Sequence, residues 1–174
     1  WLGMNGVKAD FVDEKGISSG LNGKKLAYLV MPKAGHLAAI SSFSKQGGKM
    51  FAFYSDSPKV ASFFGVRMGV YKKANGDGCF SKIVFGDPAP RGVPAEIVQS
   101  SANIFTAHPV QGKSRVIAMW HDRAGRPTGD AAVIASNNGW WMTHVLLADG
   151  DEKAKAQFLA AIAGASVPGA WSYT

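Results

Sequence analysis

Two apolar runs separated by one helical segment constrain the fold of this chain more than any other feature. The runs KLAYLVMP, residues 25–32, and KMFAFY, residues 49–54, are almost continuously apolar. Such runs are typical of strands that are buried on both faces of a parallel sheet. The segment between them places Leu37, Ile40 and Phe43 at helical spacing and ends in a Gly-Gly pair, where a helix C-cap falls. We therefore predict a strand, a helix and a second strand, joined by a right-handed crossover.

The rest of the chain predicts further helices and an antiparallel extension of the sheet. The runs at 114–120, 131–136 and 140–147 are strand-like and are separated by turn residues, so we expect them to pair antiparallel. Other predicted strands lie at 7–12, 67–73 and 80–85, and helices are predicted to begin at 55–58 and to cover 95–100 and 151–164. Together these elements predict an α/β domain with a mostly parallel, covered central sheet.

Length and composition limit the classes of protein to which the chain can belong. Its 174 residues suit a single domain, 1–174, and 47% hydrophobic with 18% charged residues is a globular balance. No apolar run approaches the roughly 20 residues that span a bilayer, so we expect no membrane partner. The net charge of +7 is scattered along the chain without a nucleic-acid-binding motif, so we expect no specific nucleic-acid partner. The abrupt start at Trp1 predicts a piece of a larger protein.

Neither a metal site nor a cofactor site is predicted. The candidate metal ligands are His108, His121 and Asp122, but their spacing along the chain matches no known metal-binding motif. Any two of three scattered carboxylates could form a glycosidase dyad: Asp56, Glu96 and Asp130. Such a dyad requires side chains roughly 5–10 Å apart. The sequence does not supply that distance.

Two segments of the chain have a familiar pattern: residues 26–66, which include GGKMFAFYSDSPKVASFFGV, and the run GWWMTHVLLADGDEKAKAQFLAAI at 139–162. Both resemble the class I glutamine amidotransferase family. The resemblance implies a three-layer flavodoxin-like sandwich with helices on both faces of the sheet. Members of the family open with a strand and a helix ahead of the segment that begins here at Trp1. Either that strand precedes this sequence, or another part of the chain takes its place.

The resemblance also assigns positions to the family's catalytic residues. In that family one strand leads into a sharp turn that carries a nucleophilic cysteine, and a later strand presents a catalytic histidine. Tyr54 falls at the cysteine position and His144 at the histidine position, while Leu146 stands where the family has an acid. Tyrosine is a poor nucleophile because its pKa is near 10. We therefore expect a domain without the family's catalysis.

A ligand site is nevertheless expected at the carboxyl edge of the sheet, where open α/β sheets bind ligands. We predict a pocket of Tyr54, Asp56 and His144, with His36 lining the same crevice from the loop after the preceding strand. Trp141 and the tryptophan before it must face opposite sides of a strand. One of the two is expected in the core, and the other can stack on a sugar ring; Trp141 is the candidate.

Three stretches are the Gly-Gly pair with the strand and the YSDSP step that follow it at 47–58, the run WMTHVLL at 141–147 and the closing VPGAW at 167–171. They resemble more closely the amidotransferase-like domains of bacterial glycoside-hydrolase-like multidomain proteins. This resemblance implies an accessory domain of a carbohydrate-active protein that serves ligand binding, domain docking or oligomerisation, in a secreted or periplasmic protein. The implied partners are neighbouring domains of the same polypeptide, a carbohydrate, or a second copy of the chain. The alternative is a hydrolase or amidotransferase that uses Ser55 with His144, although the G-x-S-x-G turn is missing. The non-catalytic interpretation is that Ser55 is a helix N-cap, a position that Asp56 or Ser57 can also fill.

Overall fold

Strands and helices alternate in the first third of the chain, and strands dominate the rest. The computed structural model describes residues 1–76 and 78–169. Besides 3-10 turns at Gly3–Asn5 and Ala34–His36, its helices are α1 (Ile17–Gly20), α2 (Leu37–Lys45), α3 (Pro58–Phe63) and α4 (Glu152–Ser166). Its strands are β1 (Leu26–Val30), β2 (Lys49–Phe53), β3 (Val66–Lys73), β4 (Phe80–Phe85), β5 (Glu96–Ser101), β6 (Asn103–Pro109), β7 (Ser114–His121), β8 (Pro127–Ser136) and β9 (Gly139–Met142). The fold is mixed α/β, as the sequence predicts.

The main sheet has seven strands in the order β1-β2-β9-β8-β7-β4-β5. Strand β2 pairs in parallel with β1 and β9, and the pairings from β9 to β5 are antiparallel. A parallel part and an antiparallel extension are both present, but the antiparallel part is larger than predicted. Connection length explains the difference: a parallel pair needs a crossover such as α2, whereas Asn137 and Asn138 alone join β8 to β9.

Helices cover both faces of the parallel strands. Met50 of β2 faces the side of α2 and α3, where it belongs to one buried cluster with Ile40 and Val60. The next residue, Phe51, faces α4 and meets Phe158 edge-on, with ring centroids 5.5 Å apart. Each of these side chains is fully buried. The continuous apolar run at 49–54 therefore arises because both faces of β2 are covered, as predicted.

Strand β9 can lie against β2 because it begins with glycine. Gly139 has φ +133°, and a Cβ at this position would stand 1.9 Å from the Met50 carbonyl oxygen. Any larger residue would push the two strands apart. The turn ahead of Gly139 is held by Lys49, whose Nζ donates to the Asn137 carbonyl oxygen at 2.7 Å.

A separate two-stranded ribbon is formed by β3 and β6, which pair antiparallel. The ribbon touches the main sheet where the Phe105 N–H donates to the Thr143 carbonyl oxygen at 3.1 Å, just beyond the end of β9. This contact brings the ribbon to the carboxyl edge of the parallel strands.

Four predictions of secondary structure are corrected. Residues 7–12 form no strand, and residues 95–100 form strand β5 rather than a helix, because alternate residues from Ile97 onward are buried. Strand β6 was not predicted. The run at 140–147 is a strand only as far as Met142. The first two errors share a cause: short apolar stretches lack a decisive period, so pairing with neighbouring strands determines their conformation.

The outer edge of β1 is unpaired in the described residues. No strand of residues 1–76 or 78–169 lies beside it. None of the helices in the described ranges is long and apolar enough to cross a membrane.

Candidate functional site

The carboxyl edge of the parallel strands brings Tyr54 and His144 together. Strands β2 and β9 end side by side, and the Tyr54 N–H donates to the Met142 carbonyl oxygen at 3.0 Å. The segments that follow β2 and β9 both leave the sheet here. The Tyr54 ring packs against the His144 ring, with centroids 4.8 Å apart. Tyr54 has φ +49°, a left-handed conformation that is uncommon for an aromatic residue. The sharp turn expected at this position is therefore present.

The ribbon adds two side chains to this edge. Asn103 Oδ1 accepts a hydrogen bond from the Tyr54 hydroxyl, and the Phe105 ring lies 5.0 Å from the Tyr54 ring, centroid to centroid. We call Tyr54, Asn103, Phe105 and His144 the edge cluster. Tyr71 continues the row outward, because its ring lies 5.5 Å from Phe105 and the residue is 47% exposed.

His144 is buried beneath the Tyr54 ring, with 7% of its surface exposed. Its Nδ1 lies 3.0 Å from the Val145 carbonyl oxygen and 3.3 Å from Ser101 Oγ. A carbonyl oxygen can only accept, so Nδ1 carries the proton and Nε2 is the acceptor nitrogen. Burial lowers the pKa of the imidazole below its usual value, and the Val145 carbonyl and the charge of Asp149 oppose that shift only in part. His144 is therefore neutral at neutral pH.

Tyr54 does not supply a nucleophile. Burial raises the pKa of its hydroxyl, and the neighbouring Tyr71 raises it further. The proton of that hydroxyl is donated to Asn103. The phenol therefore stays protonated at neutral pH, and its ring packs against the His144 ring at a tilt of 58°.

Ser55 is engaged in a structural role. It is 1% exposed, its Oγ donates to the Pro32 carbonyl oxygen, and it accepts from the Ser57 N–H at 3.2 Å. The N-cap of α3 is Ser57, which accepts from the Val60 N–H at 3.4 Å, so the prediction of Ser55 as N-cap is corrected. The Ser55 hydroxyl ties the turn after β2 to the loop after β1, and its proton is not shared with His144.

The other predicted site residues lie apart from the edge cluster. Asp56 is exposed and has no hydrogen bond or ion pair in the described ranges. His36 faces the N-terminal segment, since its Nδ1 accepts from the Lys33 N–H at 3.1 Å and its Nε2 lies 3.4 Å from Glu14 Oε1.

Trp141 requires a correction. It is 1% exposed and packs against Phe64 on the α2 and α3 side of the sheet, with centroids 5.9 Å apart. A ring with both faces covered by core residues cannot stack on a sugar. The tryptophan with access to a cavity is its neighbour Trp140, on the opposite face of β9.

Two of the three carboxylates considered for a glycosidase dyad occupy separate ion pairs. Asp130 pairs with Lys72 at 2.7 Å, and Glu96 pairs with Lys82 at 3.3 Å. No group of three or more histidine, cysteine or acidic side chains is placed to hold a metal ion within the described ranges.

Sequence analysis missed Ser101 of β5 and the three residues that the ribbon brings to the site: Asn103, Phe105 and Tyr71. These residues come from the middle of the chain, where the family resemblance gives no match. A signal exists in NIFTAHP, residues 103–109, where the β-branched residues Ile104 and Thr106 flank the aromatic Phe105. Residues of these types favour strands.

Comparisons with known proteins support the fold but not an assignment of family. No protein-family model matches the chain, and no curated protein is similar to it. Among solved structures, the chain is similar to a protein from Thermoplasma acidophilum that is described as one of the subunits of GMP synthase. The match has a TM-score of 0.56 and 15% sequence identity, and it covers 94% of this chain and 85% of the other. At this identity the likeness concerns the fold alone.

Proposed function

We propose that this chain is a non-catalytic, amidotransferase-like accessory domain with a three-layer flavodoxin-like arrangement. The observation that carries the proposal is Tyr54. It stands at the position that the resemblance assigns to the nucleophile, its ring covers His144, and its hydroxyl is bonded to Asn103. Acyl transfer needs a nucleophile within hydrogen-bond reach of a base. Here the residue at that position is a protonated phenol whose hydroxyl is bonded to Asn103 and not to His144.

The role proposed for the domain is carbohydrate binding within a glycoside-hydrolase-like multidomain protein. The row of Tyr71, Phe105 and Tyr54 supports this role, because it offers aromatic surface that begins with a half-exposed ring. Sugar rings present apolar C–H faces that pack on aromatic rings. The hydroxyl and amide groups of Tyr71 and Asn103 stand beside that surface and can bond sugar hydroxyls.

The proposal is tested first for catalysis. We expect no release of ammonia from glutamine above the buffer rate, both for the wild-type chain and for His144→Ala. The GMP synthase likeness makes glutamine the substrate to try. A wild-type rate that falls by orders of magnitude in a folded His144→Ala variant would establish an enzyme and overturn the proposal.

The binding role is tested with soluble oligosaccharides of defined linkage, titrated while amide chemical shifts are recorded by NMR. We expect shifts at residues of the edge cluster, and about tenfold weaker binding for Tyr71→Ala. Val70→Ala is the matched control, because Val70 is 68% exposed on the same strand, immediately before Tyr71. Equal weakening by the two variants, or shifts confined to another surface, would contradict the carbohydrate role.

A further inference from the structure

The cavity beside Trp140 lies at the amino edge of the sheet, opposite the edge cluster. It encloses about 580 Å³, within the range of small-molecule sites, and its residues include Lys113, Arg115, Ala135, Asn137 and Trp140. We call it the amino-edge cavity. None of the four residues of the edge cluster is among the described residues that line it.

The strand register explains why a cavity exists here. Arg115 of β7 stands opposite Ala135 of β8, and Ala135 stands opposite Trp140 of β9. Residues opposite one another on adjacent strands project from the same face, about 5 Å apart. The small Ala135 side chain therefore leaves a depression between a guanidinium group and an indole ring. Ala165 of α4, also small, borders the depression from above.

The charge of the cavity is positive and uncompensated. No aspartate or glutamate is among the described residues that line it, and within residues 1–76 and 78–169 neither Lys113 nor Arg115 has an ion-pair partner. Lys113 also borders an adjoining cavity of about 390 Å³, so it stands between two openings. Lys49 adds a third cation nearby, and among the described residues its Nζ bonds to the Asn137 carbonyl oxygen alone.

The neutral part of the lining complements these cations. Trp140 is 9% exposed, and in the described part of the chain its indole N–H donates to no protein group, unlike that of Trp120, which donates to Thr143. Asn137 is exposed and offers a side-chain amide at the rim. The cavity thus joins a flat apolar floor to a cluster of cationic and amide donors.

We propose that the amino-edge cavity binds a small phosphate monoester of a sugar or nucleoside. A doubly charged phosphate group suits the two cations, because arginine donates two parallel hydrogen bonds to phosphate oxygens and lysine supplies a point charge. The ring of the sugar or base covers the Trp140 indole. This inference is independent of the proposed carbohydrate role at the carboxyl edge, and either can fail without the other.

The test is titration of the full chain by calorimetry with glucose 6-phosphate, AMP, inorganic phosphate and glucose. We expect one of the two esters to bind at least tenfold more tightly than inorganic phosphate, and glucose to show no binding here. The tighter ester identifies the source as a sugar or a nucleoside. Equal affinity for both esters and for inorganic phosphate would overturn the proposal, since the indole floor would then contribute nothing.

Two variants locate the binding. The double variant Lys113→Gln/Arg115→Gln should weaken ester binding at least tenfold. The double variant Lys15→Gln/Lys153→Gln removes the same charge from exposed lysines elsewhere and should leave it unchanged. Equal loss in both would show general attraction to a basic surface and refute a site.

A third variant blocks the amino-edge cavity without changing its charge. Ala165 is exposed on α4, so Ala165→Phe places a ring in the cavity without disturbing the core. We expect Ala165→Phe to abolish ester binding while the unfolding midpoint stays near that of the wild type. Retained affinity in this folded variant would show that the ester binds elsewhere.

Discussion

Lys155 is the most deeply buried charge described in the protein, and its replacement provides the sharpest test of how the fold is held. Its side chain is 0% exposed, and its Nζ donates to the Leu147 carbonyl oxygen at 2.6 Å, to Asp149 Oδ1 at 2.8 Å and to the Gly150 carbonyl oxygen. An ammonium group has three donors, and all three are used. Lys155 therefore fixes the loop after His144 onto α4.

The same loop closes the far edge of the main sheet. Asp149 Oδ2 accepts from the Ser100 N–H at 2.8 Å, and Asp151 Oδ2 accepts from the Val98 N–H at 2.7 Å. These carboxylates occupy the backbone donors that edge strand β5 would otherwise offer to another chain. Burial acts to raise the pKa of Asp149, but hydrogen bonds from Lys155 and Ser100 outweigh it and hold the pKa below its usual value.

Lys155→Met keeps the length of the side chain and removes its charge and donors. A buried acceptor left without a donor costs about 1–3 kcal/mol, and breaking a buried ion pair costs about 3–5 kcal/mol. Asp149 remains 32% exposed, so water recovers part of this cost. We expect the free energy of unfolding to fall by about 2–3 kcal/mol, which lowers Tm by roughly 4–12 °C for a chain of this size.

Urea unfolding at pH 7 measures the change, and Lys153→Met is the matched control on the same helix. Lys153 is exposed, so its replacement should stay within about 0.5 kcal/mol of the wild type. In an Asp149→Asn background, Lys155→Met should cost at least about 1 kcal/mol less, because no charge is then left unpaired. A loss below about 1 kcal/mol for Lys155→Met alone, or one equal to that of the control, would refute the reasoning.

Two further predictions concern the carboxyl edge. The pKa of His144, measured by NMR titration of its ring protons, should lie below 6.5. The unfolded chain then binds a proton more readily than the folded chain. The free energy of unfolding should therefore fall as pH drops below about 6.5 and recover above it. A measured pKa at or above 6.5 would contradict the burial described here. Met31→Gly should raise the free energy of unfolding by about 0.5 kcal/mol in the same urea assay, since relief of a left-handed backbone (about 1–2 kcal/mol) exceeds the entropic cost of glycine (about 0.5–1 kcal/mol). A lower stability for Met31→Gly would mean that the exposed methionine side chain contributes more than the strain costs.

The sequence predicted the parallel strands and the meeting of Tyr54 with His144 for a single physical reason. Residues that directly follow neighbouring parallel strands must emerge at the same edge, and apolar runs with an intervening helix are strong local signals. The partner of the Tyr54 hydroxyl was not predictable in this way. Asn103 lies 49 residues further along, on a ribbon whose position depends on long-range contacts. The packing of Trp141 against Phe64, with Trp140 on the opposite face, likewise depends on which face of β9 meets α3.

The left-handed backbone at Tyr54 does not by itself indicate a catalytic turn. Met31 directly follows β1 just as Tyr54 directly follows β2, and their φ values are +51° and +49°. The Met31 N–H donates to the Phe53 carbonyl oxygen at 2.8 Å, and the Tyr54 N–H donates to the Met142 carbonyl oxygen at 3.0 Å. Each residue thus bonds to the last carbonyl of the adjacent parallel strand and then turns away. The same backbone conformation therefore occurs where two neighbouring parallel strands end. The turn at Tyr54 forms without a nucleophile, so function at this edge must be argued from the side chains that gather there.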